Sequence, residues 1–232
     1  MDVHSDIPRS RRERPAKPAL TREGIVAAAV ELMRAEGMQK VTMRRLAQEL
    51  DTGPASLYVY VRNTAELHAA ILDELLGIIE PVPAEGDWRG RLEKLLTSYT
   101  AMLFEHPGLA QSALVARPSG KHYLNLIETL LALLAEGGVP SGQAAWGVDV
   151  LLQYATATAA EQATRDLTVN AQDDWDALTR ALHGASDRTH PHIATLATEL
   201  LSGTPQVRLS WGFHLLINGI LHTPVPPARS NA

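Results

Sequence analysis

The feature that most constrains this chain is a tight break between two short helix-forming segments near its start. Thr42 is a candidate N-cap for a segment that runs through Leu50, and the turn residues Asp51-Thr52-Gly53-Pro54 follow it. Proline fits the first turn of a helix because its missing N–H is not needed there, so a second helix is predicted from Pro54 to about Tyr60. Two such short helices joined by a tight turn have the proportions of a helix-turn-helix.

Apolar residues recur at helical spacing along most of the chain, and the breaks between them carry Gly, Pro or capping residues. Because no segment has a convincing strand pattern, we predict an all-α fold with about nine or ten helices. The stretch 166–190 is polar, with scattered Asp, His and Gly, and we expect it to be loosely ordered. The other predicted helices lie at about 22–36, 64–79, 88–105, 109–114, 120–136, 141–165, 193–201 and 206–222.

Charge is distributed unevenly along the chain. Residues 1–62 hold 11 Lys and Arg against 8 Asp and Glu, whereas residues 63–232 hold 10 against 18. A basic arm in front of a folded unit is typical of nucleic-acid binding, although a solvated leader has the same composition. We predict a flexible basic arm (1–19), a helix-turn-helix domain (20–66), a helical effector-binding and dimerisation domain (67–223) and a disordered tail (224–232).

Composition excludes several classes of protein. The chain has no cysteine, so it has no disulfide scaffold, thiolate nucleophile or thiolate metal site. No apolar run approaches the roughly 20 residues of a membrane helix, and the first 20 residues lack the apolar segment of a secretory signal. His183, His190 and His192 read as a solvated loop, because no Cys, Asp or Glu completes a helix-spaced ligand set. We therefore expect a cytoplasmic protein with no membrane span, metal or cofactor.

A helix-turn-helix behind a basic arm predicts a surface for double-stranded DNA. The second helix of such a unit lies in the major groove, while the first crosses the backbone. We predict phosphate contacts where N–H groups are free at a helix start and base contacts from the second helix. The candidate DNA-binding residues are Arg11, Arg12 and Arg14 of the arm, then Thr42, Met43, Arg44, Pro54, Ala55, Ser56, Tyr58, Tyr60, Arg62 and Thr64.

These residues also carry a family resemblance. The segments Thr42-Met-Arg-Arg-Leu-Ala-Gln-Glu-Leu50, Ala55-Ser-Leu-Tyr58 and Val61-Arg-Asn63 resemble the DNA-binding signature of the TetR (tetracycline repressor) family. Arg117-Pro118 before Tyr123, the pair Gly137-Gly138 and the segment 211–219 are similar to the C-terminal domain of that family's tetracycline repressors.

The resemblance implies a ligand-responsive transcriptional repressor. It implies a homodimer in which helices 141–165 and 206–222 of two subunits form a four-helix bundle. It also implies a palindromic operator and, in each C-terminal domain, a small-molecule pocket whose occupancy releases the DNA.

The implied pocket departs from that of the tetracycline repressors. Ala113 stands where they have a metal-binding His, Ala116 replaces a Thr of the same site, and Leu95 replaces an Asn that holds the drug. Glu161 matches a carboxylate from the partner subunit, but one carboxylate does not make a magnesium site. We therefore expect a small, apolar effector. The candidate ligand-binding residues are Leu95, Tyr99, Ala113, Ala116, Leu130, Leu134, Trp146, Val150 and Gln153.

Two other functions fit an all-α fold. An all-α enzyme would need a nucleophile, an acid–base pair or a metal cluster in a cleft, and the sequence shows none. A DNA-binding architectural protein would share the helix-turn-helix but would respond to no ligand.

Overall fold

The computed structural model describes residues 19–116 and 118–227, and for Leu167 only the backbone. Within these residues the fold is entirely helical, with eleven α-helices and no strand, which confirms the predicted class. The helices are α1 (Arg22–Glu36), α2 (Met43–Glu49), α3 (Pro54–Leu57), α4 (Thr64–Leu76), α5 (Trp88–Glu105), α6 (Pro107–Ala113), α7 (Lys121–Glu136), α8 (Ser141–Leu167), α9 (Ala171–His183), α10 (Pro191–Leu201) and α11 (Pro205–His222).

The first helices begin where the sequence predicts. The side chains of Thr21, Thr42 and Asn63 accept hydrogen bonds from the backbone N–H groups of Gly24, Arg45 and Glu66, respectively, at 2.8–3.1 Å. Each bond satisfies one of the N–H groups that a helix start leaves without a partner. Gly37 ends α1 with φ +86°, a conformation that side-chain-bearing residues adopt only with strain.

Two predicted elements differ from the structure. The stretch 166–190 contains α9, a full helix, because Trp175, Leu178 and Leu182 recur at helical spacing, and because Asp173 and Asp174 stand in its first turn, where the helix dipole favours anions. The low apolar content hid this periodicity: α9 has no buried residue, and it packs mainly against α10. Helix α3 ends at Leu57 and not near Tyr60, and a turn follows it.

The core is organised around α8. This helix packs against α5, α6, α7 and α11, and its inner face is made of small or branched apolar residues, of which Leu151, Ala155 and Ala159 are fully buried. Alanines on a buried face let neighbouring helices approach closely, so they bring α5 and α6 near the middle of α8. The structure therefore has one long central helix that can form the wall of an interior site.

Helix α4 connects the N-terminal helices to this core. Its buried residues, among them Leu67, Ile71 and Leu75, pack against α1 on one side and against α6 and α7 on the other. The predicted domain boundary between residues 66 and 67 falls inside this continuous helix. Among the described residues, no helix is both long enough and apolar enough to cross a membrane.

Candidate nucleic-acid interface and inner cavity

Helices α1 to α3 and the first turn of α4 form a small unit, here called the N-terminal head. Its interior holds Ile25, Leu46, Leu57 and Val61, all fully buried. The chain turns between α2 and α3 at Asp51, whose φ of 46° is a left-handed conformation that Asp tolerates better than most residues. The head therefore holds a four-residue helix, α3, in place by a single buried side chain, Leu57.

The other side chains of α3 and of the turn after it point to solvent. Pro54, Ala55 and Ser56 are exposed, and they adjoin Tyr58, at 51% exposure, and Val59, at 79%. These five residues are called the α3 surface here. A single exposed apolar residue is ordinary, but an aromatic ring and a valine exposed side by side are typical of a contact surface. Four of the five are predicted from the sequence; Val59 is not, because nothing in its spacing marks it as exposed.

The two arginines at the start of α2 differ in whether they are available to a partner. Arg44 is exposed. Arg45 is held between Glu36, whose carboxylate accepts from its guanidinium at 2.5 Å, and Glu49 at 2.9 Å. The hydrogen bond from Arg45 lowers the pKa of the Glu36 carboxyl. Met43, predicted to contact DNA, is only 6% exposed; its side chain packs in the head because position 43 is on the inner face of α2.

The loop between α3 and α4 presents a second arginine. Arg62 donates from its backbone N–H and its Nε to the Glu66 carboxylate, at 2.9 and 3.0 Å, yet its side chain stays 87% exposed. These two hydrogen bonds from Arg62 lower the pKa of Glu66. Tyr60 and Thr64 are exposed beside it.

The predicted DNA-binding residues of the described chain, Met43 excepted, thus all lie exposed around α2, α3 and the start of α4. Arg11, Arg12 and Arg14 lie outside the described residues.

A pocket of about 200 Å³ lies among α4, α5, α6, α7, α8 and the α6–α7 connection, and we call it the inner cavity. It is partly open to solvent: Leu114 of its lining is 49% exposed, and Asp149 and Gln153 are also exposed. Its lining residues are Leu72, Tyr99, Ala113, Leu114, Ala116, Pro118, Tyr123, Asp149, Leu152, Gln153 and Thr156.

The inner cavity contains a satisfied polar pair at its wall. Tyr99 is 3% exposed, and its hydroxyl shares a hydrogen bond of 2.8 Å with Thr156 Oγ1. Burial raises the pKa of Tyr99 to about 12, so the phenol is neutral at physiological pH. With Tyr123, Asp149 and Gln153 also on the wall, the lining has more polar groups than the predicted apolar site.

The structure brings four of the nine predicted ligand-binding residues to the inner cavity: Tyr99, Ala113, Ala116 and Gln153. Leu95, Leu130 and Leu134 are buried in the surrounding core and do not line it. Trp146 and Val150 are exposed at 61% and 40%. Asp149, Leu152 and Thr156 were not predicted to line the site, although their spacing with Gln153 places all four on one face of α8.

Trp146 and Val150 belong to a different feature. Together with Val207, Trp211 and Leu215 of α11, which are 61%, 65% and 54% exposed, they leave large apolar side chains in solvent on α8 and α11. We call these five residues the apolar stripe. A larger cavity, of about 330 Å³, lies between α5, α8 and the start of α11 and includes Phe104 and Leu209.

The part of the chain that the structure describes contains no set of side chains suited to bind a metal ion. No three His, Asp or Glu side chains there come together in a group that could hold a metal ion.

Comparison with known families matches both parts of the chain. Residues 25–71 match the family described as bacterial regulatory proteins, tetR family, and residues 80–223 match the tetracyclin repressor-like C-terminal domain. The HTH-type transcriptional repressor DrrR1 of Streptomyces coeruleorubidus is 30% identical over 90% of this chain and 80% of its own length.

Solved structures agree with the fold. SCO7704 of Streptomyces coelicolor is 61% identical, with a TM-score of 0.78 over 90% of this chain and 98% of that one. ActR of Streptomyces coelicolor in complex with actinorhodin is 34% identical, also with a TM-score of 0.78, over 88% of this chain and 96% of that one.

Proposed function

The chain belongs to the TetR family of bacterial regulatory proteins, and we propose that it is a ligand-responsive repressor that binds a palindromic operator as a homodimer. Proteins of this family are transcriptional regulators and not enzymes. We assign operator binding to residues 20–66 and effector binding with dimerisation to residues 67–223, with α4 shared between them. We place this activity in the cytoplasm, where a bacterial operator lies.

The observation that carries the proposal is the α3 surface. Leu57 is the one residue of α3 that packs into the head. The other side chains of this helix face outward, and two exposed arginines, Arg44 and Arg62, lie on the neighbouring elements of the head. In a helix-turn-helix the second helix enters the major groove. Ser56 can donate to or accept from a base edge, Ala55 can contact a thymine methyl group, and Tyr58 reaches a base or a phosphate.

Phosphate contacts flank this helix in our proposal. Arg44 at the start of α2 and Arg62 before α4 supply charge, while Thr42, Tyr60 and Thr64 supply hydroxyl groups. Arm residues Arg11, Arg12 and Arg14 enter the adjacent minor groove. Met43 acts from inside the head by fixing the position of α2.

We propose that the apolar stripe forms the dimer interface. Two copies joined through α8 and α11 would form a four-helix bundle and remove Trp146 and Trp211 from water, which is favourable in proportion to the area buried. In such a dimer we expect the two-fold axis to relate two α3 surfaces that lie one helical turn apart, at roughly 34–36 Å, so that they fit successive major grooves.

We propose that the inner cavity binds the effector. Its mixed walls suit an aromatic molecule that carries hydroxyl or other hydrogen-bonding groups, rather than the purely apolar effector expected from the sequence. The solved complex of the relative ActR with actinorhodin supports a ligand site in a chain of this fold. Effector binding would move α4 and so alter the separation of the two α3 surfaces.

Selection of bound duplexes from a random pool, at near-physiological salt, tests operator binding. We expect a palindrome whose half-sites are about one turn apart. The double variant Ser56→Ala/Tyr58→Ala should lose this enrichment, whereas Arg34→Ala should keep it, because Arg34 is paired with Glu31 on α1. Enrichment of no sequence by the wild-type protein would refute the proposal.

A thermal-shift screen of aromatic compounds, beginning with actinorhodin, tests the cavity. A compound at 100 times its Kd should stabilise the protein by about 2.7 kcal/mol. Ala113→Trp, which fills the cavity, should abolish the shift, and Ala132→Trp, on the exposed side of α7, should not. A shift that survives Ala113→Trp would place the effector elsewhere.

A further inference from the structure

We propose that Asp73 of α4 is the positioning residue that couples the inner cavity to the N-terminal head, because it caps helix α7 from outside that helix. The inference rests on the proposed function and names the contact through which the two sites of that function communicate.

The start of α7 lacks a cap of its own. Its N-cap residue is Gly120, which has no side chain to offer. The Asp73 carboxylate supplies the missing acceptor: its Oδ1 accepts from the backbone N–H of Tyr123 at 2.9 Å. Tyr123 is the third residue of α7, and its amide is one that an N-cap side chain normally satisfies. The negative charge of Asp73 also complements the positive end of the α7 dipole.

Two glycines make the contact between the helices close. A Cβ at Gly120 would collide with the Asp73 carboxylate, and a Cβ at Gly77, the residue that follows the end of α4, would lie 2.7 Å from Cε1 of the His122 ring. The end of α4 and the first turn of α7 thus lie close together, and a methyl group at either glycine would force the Asp73 carboxylate or the His122 ring to shift. The hydrogen bond from Tyr123 to Asp73 therefore joins two helices that are already in contact.

The contact also adjoins the inner cavity on both sides. Leu72, the neighbour of Asp73, lines the cavity from α4, and the Tyr123 side chain lines it from α7. The residue whose backbone Asp73 holds is therefore one that a bound molecule would touch. A ligand that shifts the backbone of Tyr123 must move Asp73 with it or break the hydrogen bond between them.

The other end of α4 lies in the head. Its first turn is capped by Asn63 and holds Arg62 through Glu66. The helix has 13 residues, a length of roughly 20 Å, and it is continuous. A shift at Asp73 therefore reaches the residues beside the α3 surface as a rigid-body movement.

The test uses the full chain and the duplex selected above. Hydrogen exchange of the peptide covering residues 118–126 is measured with and without that duplex, in wild type and in Asp73→Ala. Glu74→Ala is the matched control, because Glu74 is an exposed acid of the same helix. Since coupling is reciprocal, DNA at the head should change exchange at α7. We expect that change in wild type and in Glu74→Ala, and its loss in Asp73→Ala at unchanged helix content.

A second variant leaves Asp73 in place. Gly120→Ala should also abolish the response, because its methyl group displaces the carboxylate. Should Asp73→Ala fail to fold, Asp73→Asn replaces it; the amide keeps the acceptor and loses the charge, so its response should be weaker than that of wild type.

Two outcomes overturn the inference, and they differ. If Asp73→Ala responds to DNA as wild type does, coupling runs by another route, such as the contact of Gly108 at the start of α6 with Met38 of the head. If the wild-type protein binds no duplex at all, the proposed function fails, and the inference fails with it. With an effector in hand, the coupling, about 5- to 150-fold in typical proteins, should fall toward 1 in Asp73→Ala.

Discussion

The N-terminal head and the helical core differ in where their functional side chains point: outward from α3 in the head, and inward from α8 in the core. In the head, α3 buries Leu57 alone and turns every other side chain outward. In the core, α8 buries a row of small and branched residues, and the polar atoms of Tyr99 and Thr156 find each other inside. In the proposed function the head presents groups to DNA, which lies outside it, whereas the core surrounds a small effector. The two regions should therefore respond differently to substitution.

The largest expected effect tests whether a single buried side chain holds α3 in the head. Leu57→Ala removes the one buried anchor of α3, and we expect a loss of about 2–5 kcal/mol in the free energy of unfolding, with loss of operator binding. Urea denaturation followed by circular dichroism measures it. Ala55→Gly, on the exposed side of α3, is the control and should cost about 1 kcal/mol or less. A small effect of Leu57→Ala would mean that α3 is held by other contacts.

The apolar stripe lies on helices of the core, but its side chains are exposed like those of the α3 surface. Trp211→Asp should weaken dimerisation by about 2 kcal/mol or more, because interface tryptophans are common hot spots. Sedimentation equilibrium measures the dimer constant. Ile78→Asp changes a residue that is similarly exposed, at 62%, but lies outside the stripe, and it should leave the constant unchanged. Equal effects of both variants would show that the stripe is not the interface.

Enclosed polar groups distinguish the core from the head. Tyr99→Phe leaves the Thr156 hydroxyl without its partner at a buried position, so we expect a cost of about 1–3 kcal/mol in unfolding free energy. The control is Tyr58→Phe on the exposed α3 surface, for which we expect almost no change in stability. Thermal or urea unfolding measures the free energy of unfolding of both variants. If Tyr99→Phe were as stable as Tyr58→Phe, the Thr156 hydroxyl would have found another hydrogen-bond partner.

Arg44 of α2 allows a finer test within the head. Arg44 is exposed and Arg45 is held by two carboxylates, so Arg44→Ala should reduce the slope of log K against log salt by about 1 for one lost phosphate contact. Arg34→Ala should leave the slope as in wild type. Fluorescence anisotropy over a salt series gives both slopes, and an unaltered slope for Arg44→Ala would remove that residue from the interface.

The smallest expected effect lies where head and core meet. Burial lowers the pKa of His68 on α4, and its Nε2 is buried with no hydrogen-bond partner among the described residues. Because its pKa in the folded state lies below that in the unfolded state, the unfolded chain binds more protons, and stability falls as the pH drops below about 6.5. His68→Asn should flatten this decline, and His222→Asn, at an exposed position, should not. Unfolding curves measured from pH 8 to 5 test this prediction. Equal loss of stability in wild type, His68→Asn and His222→Asn would contradict it.

The success of the sequence analysis differed between the two regions for a physical reason. Helix starts in the head were predicted from single residues, since Thr42 and Asn63 satisfy N–H groups only three positions away. Helix α9 was missed because its apolar residues are few and none is buried, so local composition resembled a loop. Met43 was misplaced because its depth depends on how α2 packs against other parts of the head, which a motif does not specify.

The sequence by itself determined the all-helical class and the helix-turn-helix, because caps, turns and periodicity act over a few residues. The family followed from the resemblance of segments 42–50, 55–58 and 61–63 to its DNA-binding signature. Only the tertiary structure decided which residues line the inner cavity. Leu130 and Leu134 went to the core and Trp146 to the surface, while Asp149 and Tyr123 came to the wall. Which face of a helix meets a cavity depends on how several helices pack around it, and that information is spread over residues far apart in the chain.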